Sequence, residues 1–183
     1  MIYKTVAPLR KMGVPAAAIV DIDFLTKPDK EWKNLIDACQ IEAQEQSIYT
    51  KYRDSIIKEF KIKLKIKDCP SLTEEEKNKA AKKLGEKIKK KGIKVFSSNS
   101  KEYSKAKDLI EFLAEYGLFI IPTGELESWI PELNKGSDWD NNWLEKMGKP
   151  VAEDFDIQQE LNKWGFMQKI AEWIDDPNKK GVA

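Results

Sequence analysis

Two short apolar runs stand out along the chain, and between them apolar residues recur at helical spacing. The first run, Ala16-Ala17-Ala18-Ile19-Val20, leads straight into Asp21-Ile22-Asp23. Such an unbroken run predicts a strand buried on both faces, here over 14–23. The second run, Leu118-Phe119-Ile120-Ile121, passes through Pro122-Thr123-Gly124 into Glu125-Leu126-Glu127-Ser128-Trp129. It predicts a strand over 118–121, then a turn, then a helix carrying Leu126, Trp129, Ile130 and Leu133 on one side.

The remaining pattern is helical. A helix is expected over 3–12, with Val6, Leu9 and Arg10 on one side and Gly13 as its stop. Pro28 and Asp29 mark a turn over 26–30. A helix over 31–39 turns Trp32, Leu35, Ile36 and Cys39 inward. A long helix from 42 to about 65 carries the stripe Ile48, Tyr52, Ile56, Phe60 and Leu64. Its tail, Lys61 to Lys67, alternates with period two and competes as a strand. Thr73 and Glu76 form a capping box opening a helix that ends at Gly92. Residues 93–96 read as a short strand or extended loop. A helix over 101–116 presents Tyr103, Ala106, Ile110 and Leu113. The last segment is tryptophan-rich, with Trp139 and Trp143 one turn apart and Trp164 and Trp173 among apolar residues. Their helical spacing favours core packing over base stacking. Residues 175–180 read as a frayed tail. The pattern defines an α/β chain in which a small parallel sheet is flanked by helices. Its parts are a first core portion (1–30), a mainly helical insertion (31–116) and a C-terminal portion with the second strand, acidic turn and helices (117–183).

Composition narrows the chemistry. The chain has 183 residues, 41% hydrophobic and 34% charged, with a net charge of +1. These proportions suit one soluble domain or a core with an insertion. No apolar run can span a bilayer and no signal peptide is recognisable, so a cytoplasmic location is expected. Histidine is absent, which removes Ser-His and Cys-His catalysis. Two cysteines, Cys39 and Cys69, without histidine cannot close a zinc site. A metal here must be held by oxygen, which points to Mg²⁺, Mn²⁺ or Ca²⁺. No phosphate-binding G-x-x-x-x-G-K-[ST] loop is present.

Asp21 and Asp23 lie two residues apart on a strand and so share a face, roughly 7 Å apart. Ligands of open α/β sheets bind outside the carboxyl ends of the strands, where two carboxylates can share a hard cation. The plainer alternative is that one aspartate caps the following loop. Glu125 and Glu127 would stand in the first turn of a helix, where acids suit the dipole. If the two strands are parallel neighbours, both acidic clusters share one edge. Glu125 then directly follows the strand exit and is the candidate ligand. Glu127 is about 200° further round the helix, in a supporting or capping role. The lysine clusters at 61–67 and 87–91 read first as solvated helix faces, and second as a grip on phosphates.

Together, Val14-Pro15-Ala16-Ala17-Ala18-Ile19-Val20-Asp21-Ile22-Asp23-Phe24-Leu25 and Leu118-Phe119-Ile120-Ile121-Pro122-Thr123-Gly124-Glu125-Leu126-Glu127-Ser128-Trp129 resemble the TOPRIM-like nuclease domain at the C-terminal end of OLD-family ATP-dependent endonucleases. The resemblance implies a small parallel TOPRIM-like sheet, and Mg²⁺ or Mn²⁺ as cofactor. It implies Asp21, Asp23 and Glu125 as catalytic metal ligands, with Glu127 as a further one. It also implies DNA as substrate, an ATPase domain upstream or on a separate chain, and a role in defence against phage. A homo-oligomer is an open expectation. The family pattern opens with a strand ending in glutamate ahead of the Asp-x-Asp strand, and this sequence has no counterpart to it. The chain is therefore expected to be catalytically incomplete on its own. The alternative is a TOPRIM-like scaffold or partner-binding module.

Overall fold

The first apolar run folds as β1 (Ala18–Asp21) and the second as β2 (Leu118–Ile121). The two pair in parallel, Ala18 opposite Leu118 and Asp21 opposite Ile121. The computed structural model describes residues 2–63, 73–126 and 163–182. Within them the chain is mixed α/β and mostly helical, the strands forming a two-stranded parallel sheet.

β1 is shorter than its apolar run. Its ladder ends at the Asp21–Ile121 pair. The Ile22 N–H bonds instead to the Gly124 carbonyl at 2.9 Å. The chain then tightens into a 3₁₀ turn over Ile22–Thr26, so Asp23 lies in that turn and not on the strand. The burial forecast also changes. β2 is buried on both faces, whereas Ile19 of β1 is 39% exposed. Leu118 and Ile120 enter the main core, while Phe119 and Ile121 meet Phe166, Ile170 and Trp173 of a C-terminal helix. The alternation follows the period of two along a strand.

Six helices complete the described fold. They are α1 (Tyr3–Lys11), α2 (Asp29–Ala38), α3 (Ala43–Lys63), α4 (Glu74–Lys91), α5 (Lys101–Glu115) and α6 (Lys163–Asp175). α2 begins two residues earlier than expected, with Asp29 and Glu31 in its first turn. The Thr73–Glu76 capping box forms, and Ser100 caps α5 by accepting from the Tyr103 N–H at 3.1 Å. α5 buries Ala106, Leu109, Phe112 and Leu113, with Tyr103 and Ile110 half-buried beside them. Residues Gly92–Val95 form a 3₁₀ turn, not a strand or extended loop. One core joins the sheet to α1 through α5.

The stripe forecast for α3 is corrected. Ile48 and Tyr52 are 53% and 39% exposed, while Arg53, Ile56 and Phe60 are buried. A spacing of four drifts about 40° per step around a helix. The stripe from Ile48 to Phe60 therefore turns through about 120° and cannot stay on one face. Tyr49, Arg53, Ile56 and Phe60 keep spacings of four, three and four and hold one side.

The C-terminal tail is not frayed. The Gly181 carbonyl accepts from Arg10 Nη1 at 3.0 Å, and Lys180 Nζ lies 2.8 Å from Glu115 Oε2. Trp173 is buried, and its Nε1 donates to the Glu115 carbonyl at 3.0 Å. Ile174, next to it, is 39% exposed. Glu127, Trp129, Trp139, Trp143, Cys69 and residues 64–67 lie outside the described residues.

Candidate functional site

The two strand exits are stitched together. The Ile22 N–H reaches the Gly124 carbonyl, and the Gly124 N–H returns to the Ile121 carbonyl at 3.3 Å. Asp21 ends β1, Asp23 sits in the 3₁₀ turn, and Glu125 follows Gly124. The three carboxylates named from the sequence are thereby delivered to one edge of the sheet. Thr26 closes the turn by donating from Oγ1 to the Asp23 carbonyl at 2.7 Å. Arg53 of α3 then locks it. Its Nε donates to the Leu25 carbonyl at 2.8 Å, its Nη2 to the Lys27 carbonyl, and its Nη1 to Asp29 Oδ1 at 2.9 Å. The guanidinium stacks over the Trp32 ring, 4.9 Å from its centre. Arg53 escapes the sequence reading because it occupies an inward position that the apolar pattern assigns to no polar residue.

α4 brings in the partner that the sequence did not reveal. Lys89 Nζ lies 2.8 Å from Asp21 Oδ2, 3.9 Å from Asp23 Oδ2 and 3.9 Å from Glu125 Oε2. Two glycines permit that approach. A Cβ on Gly85 would stand 3.1 Å from Thr26 Oγ1 and 3.5 Å from the Asp23 Cβ. A Cβ on Gly124, at φ 129°, would stand 1.8 Å from the Lys89 carbonyl oxygen. Gly85 costs helix stability inside α4, about 1 kcal/mol relative to alanine. Its presence in a lysine-rich helix is the one local sign that this face packs closely on another element. Lys27, on the far side, pairs with Asp23 Oδ2 at 3.2 Å.

The electrostatics follow. Burial lowers the Lys89 pKa. The hydrogen bond to Asp21 and the charges of Asp21, Asp23 and Glu125 outweigh it, and the net shift is upward. Lys89 is firmly an ammonium at neutral pH. The side chains of Lys89 and Asp21 remain 29% and 30% exposed, so their bond is a partly solvated pair rather than a buried one. Three carboxylates face two ammonium groups and leave one net negative charge.

A cleft of about 390 Å³ opens over Asp21, Asp23 and Lys89, walled by Tyr3, Ile19 and Phe24. A second cleft, of about 410 Å³, runs past Lys27 and Glu31 to Lys82 and Glu86. Glu31 lines both. Among the described residues no three acidic or thiol side chains already stand together as metal ligands. The ammonium of Lys89 instead occupies the point on which three carboxylates converge. Their all-oxygen donor set is the chemistry of a hard divalent cation. Asp21, Asp23 and Glu125 therefore match a hard divalent cation by donor type, although as they stand they are arranged around the Lys89 ammonium and not around an ion.

Fold and site together define a mixed α/β protein with an acidic parallel-sheet edge that opens on a cleft. No protein-family model, curated protein or solved structure matches the chain. No helix among the described residues is long and apolar enough to cross a membrane.

Proposed function

We infer that this chain is the TOPRIM-like part of an OLD-family, metal-dependent DNA endonuclease that works with an ATPase domain in defence against phage. One observation carries the reading. Asp21, Asp23 and Glu125, separated by about a hundred residues, converge on one cation at the carboxyl edge of a parallel strand pair. That is the edge where open α/β sheets bind ligands. Asp21, Asp23 and Glu125 would hold one or two divalent ions. Bound Mg²⁺ would activate a water and neutralise the leaving oxygen of a phosphodiester. Arg53 keeps Asp23 in place by pinning the turn that follows it. Lys27 and Lys82, on the cleft walls, suit the phosphates of a strand lying across the edge.

The experiment is a Mn²⁺ titration followed by electron paramagnetic resonance, on wild type and on Asp21→Asn, Asp23→Asn and Glu125→Gln. Weak stoichiometric binding that each substitution abolishes is the expected result. Binding unchanged in Asp21→Asn, or a tight zinc site found by calorimetry, would refute the assignment. Plasmid nicking in Mn²⁺ tests the chemistry in parallel, because any cleavage must vanish in Asp21→Asn.

A second reading is favoured by one specific observation. Lys89 and Lys27 already neutralise most of the acidic charge, so the edge is electrostatically tolerable without metal. A TOPRIM-like scaffold or partner-binding module would keep this arrangement permanently. In that case none of the three substitutions alters Mn²⁺ binding, since wild type binds none.

A further inference from the structure

We propose that Lys89 is a tethered competitor for the divalent ion, holding the ion's place between Asp21, Asp23 and Glu125 and leaving it when the ion binds. The proposal rests on the metal-site reading above and adds a control element to it. The first ground is space. A divalent ion touches carboxylate oxygens at about 2.0–2.6 Å. Lys89 Nζ is 2.8 Å from Asp21 Oδ2 and 3.9 Å from both other carboxylates. An ion in contact with all three carboxylates would overlap the ammonium or sit against it, and two cations at that separation repel strongly.

The second ground is which part can move. The backbone of Lys89 is wedged against Gly124, whose Cα has no room for a Cβ beside the Lys89 carbonyl. One turn earlier, Gly85 packs on Thr26 and Asp23. α4 therefore cannot withdraw without parting from the 3₁₀ turn. The side chain can withdraw alone. It is a flexible four-carbon stem, 29% exposed as a side chain, that lines the open cleft. Exchange is then a rotamer change at one lysine, with the helix fixed.

The third ground is charge. Removing Lys89 takes this ammonium from all three carboxylates, and Lys27 stays paired with Asp23. Like-charge repulsion in the metal-free edge rises, and a divalent ion meets a stronger field without a tethered rival. An ammonium held this close also repels an arriving cation directly, in a cleft that is only partly solvated. Loss of the rival should tighten metal binding about tenfold or more.

The test uses the full chain. Mn²⁺ dissociation constants are measured by electron paramagnetic resonance for wild type, Lys89→Met, Lys89→Gln and Lys27→Met. Lys89→Met is expected to bind about tenfold tighter, with Lys27→Met within about threefold of wild type. In EDTA, Lys89→Met should melt below wild type, and saturating Mn²⁺ should raise its Tm by more than it raises the wild-type Tm. If Lys89→Met proves poorly folded, Lys89→Gln removes the charge while keeping a polar, shorter side chain. On wild type itself, the ¹³Cε resonance of Lys89 should move as Mg²⁺ is added. Equal or weaker Mn²⁺ affinity in a folded Lys89 variant overturns the proposal and leaves the metal site standing. A Lys89 resonance that stays fixed at Mg²⁺ saturation does the same. No Mn²⁺ binding in wild type or in either Lys89 variant overturns the proposal and the metal-site reading together.

Discussion

Arg10 offers the sharpest test of how the fold is held. Its side chain is fully buried, yet among the described residues no carboxylate pairs with it. It donates instead to five backbone carbonyls. Nε reaches Ala16 at 2.9 Å, and Nη2 reaches Gly117 at 3.0 Å. Nη1 is shared among Cys39 at 3.2 Å, Tyr116 at 2.6 Å and Gly181 at 3.0 Å. The guanidinium also lies 5.0 Å from the centre of the Trp173 ring. One side chain thus ties α1 to the approach to β1, the end of α2, the start of β2 and the C-terminal tail. Arg10→Met keeps the apolar bulk and deletes every donor. The carbonyls of Cys39 and Tyr116 are then left buried, at about 1–3 kcal/mol each, while that of Gly117 keeps the Ala18 N–H at 2.8 Å. Methionine recovers part of this, because burial penalises the arginine charge and lowers its pKa. Hydrogen bonds from a charged donor are worth about 1.5–3 kcal/mol each, so losing those to the two orphaned carbonyls nets about 3–5 kcal/mol. For a chain of this size that lowers Tm by about 6–20 °C. Arg10→Lys should lose nearly as much, since an ammonium cannot reproduce the planar fork. Thermal melts by circular dichroism, with urea titration beside them, measure the effect. If Arg10→Met melts within about 2 °C of wild type, water satisfies those carbonyls and the staple is not one.

The other predictions concern the site and the thiol. Gly124→Ala places a Cβ against the Lys89 carbonyl at a backbone angle that disfavours side chains, so it should cost more than about 2 kcal/mol and weaken Mn²⁺ binding; unchanged denaturation and affinity would show that the turn can shift at no cost. Cys39 is fully buried, and desolvation pushes its thiol up from 9.0 to about 11 despite the charge of Arg10. The folded state therefore holds its proton more tightly, and stability should be constant below pH 9 and fall as pH rises towards 11. Denaturant midpoints at pH 8, 9.5 and 10.5 follow this, and a Cys39→Ala variant should lose that share of the slope.

What could be read from the sequence was whatever depends on neighbours along the chain. β2, the Thr73–Glu76 capping box and the end of α4 at Gly92 obey local rules, and each formed where expected. β1 formed but stopped at Asp21, because its length is set by a partner strand, a hundred residues away, that ends at Ile121. The stripe of α3 misled for a geometric reason, since a spacing of four looks regular in sequence and winds around a helix. The tail was misread because its composition is polar, while its anchor is a carbonyl that any residue could supply. Lys89 was invisible among Lys87, Lys90 and Lys91, where a solvated face is the reasonable default. Only the fold distinguishes it, because it is the lysine of that cluster seen to reach the three carboxylates.

The cations of this chain fall into two mechanical classes. Arg10 and Arg53 are buried, and their main partners are backbone carbonyls that cannot rotate away. Arg53 does meet Asp29, but that carboxylate side chain is 95% exposed and adds little. Lys89 and Lys27 are partly exposed, and their partners at the sheet edge are carboxylates that either could release. Holding the fold with carbonyls leaves the acids of the edge uncommitted to structure. A change of cation at that edge then need not disturb the turn that presents Asp23, because Arg53 holds that turn through its carbonyls from behind. Stability and ion affinity should therefore separate on mutation. The arginines govern the first, and Lys89 governs the second.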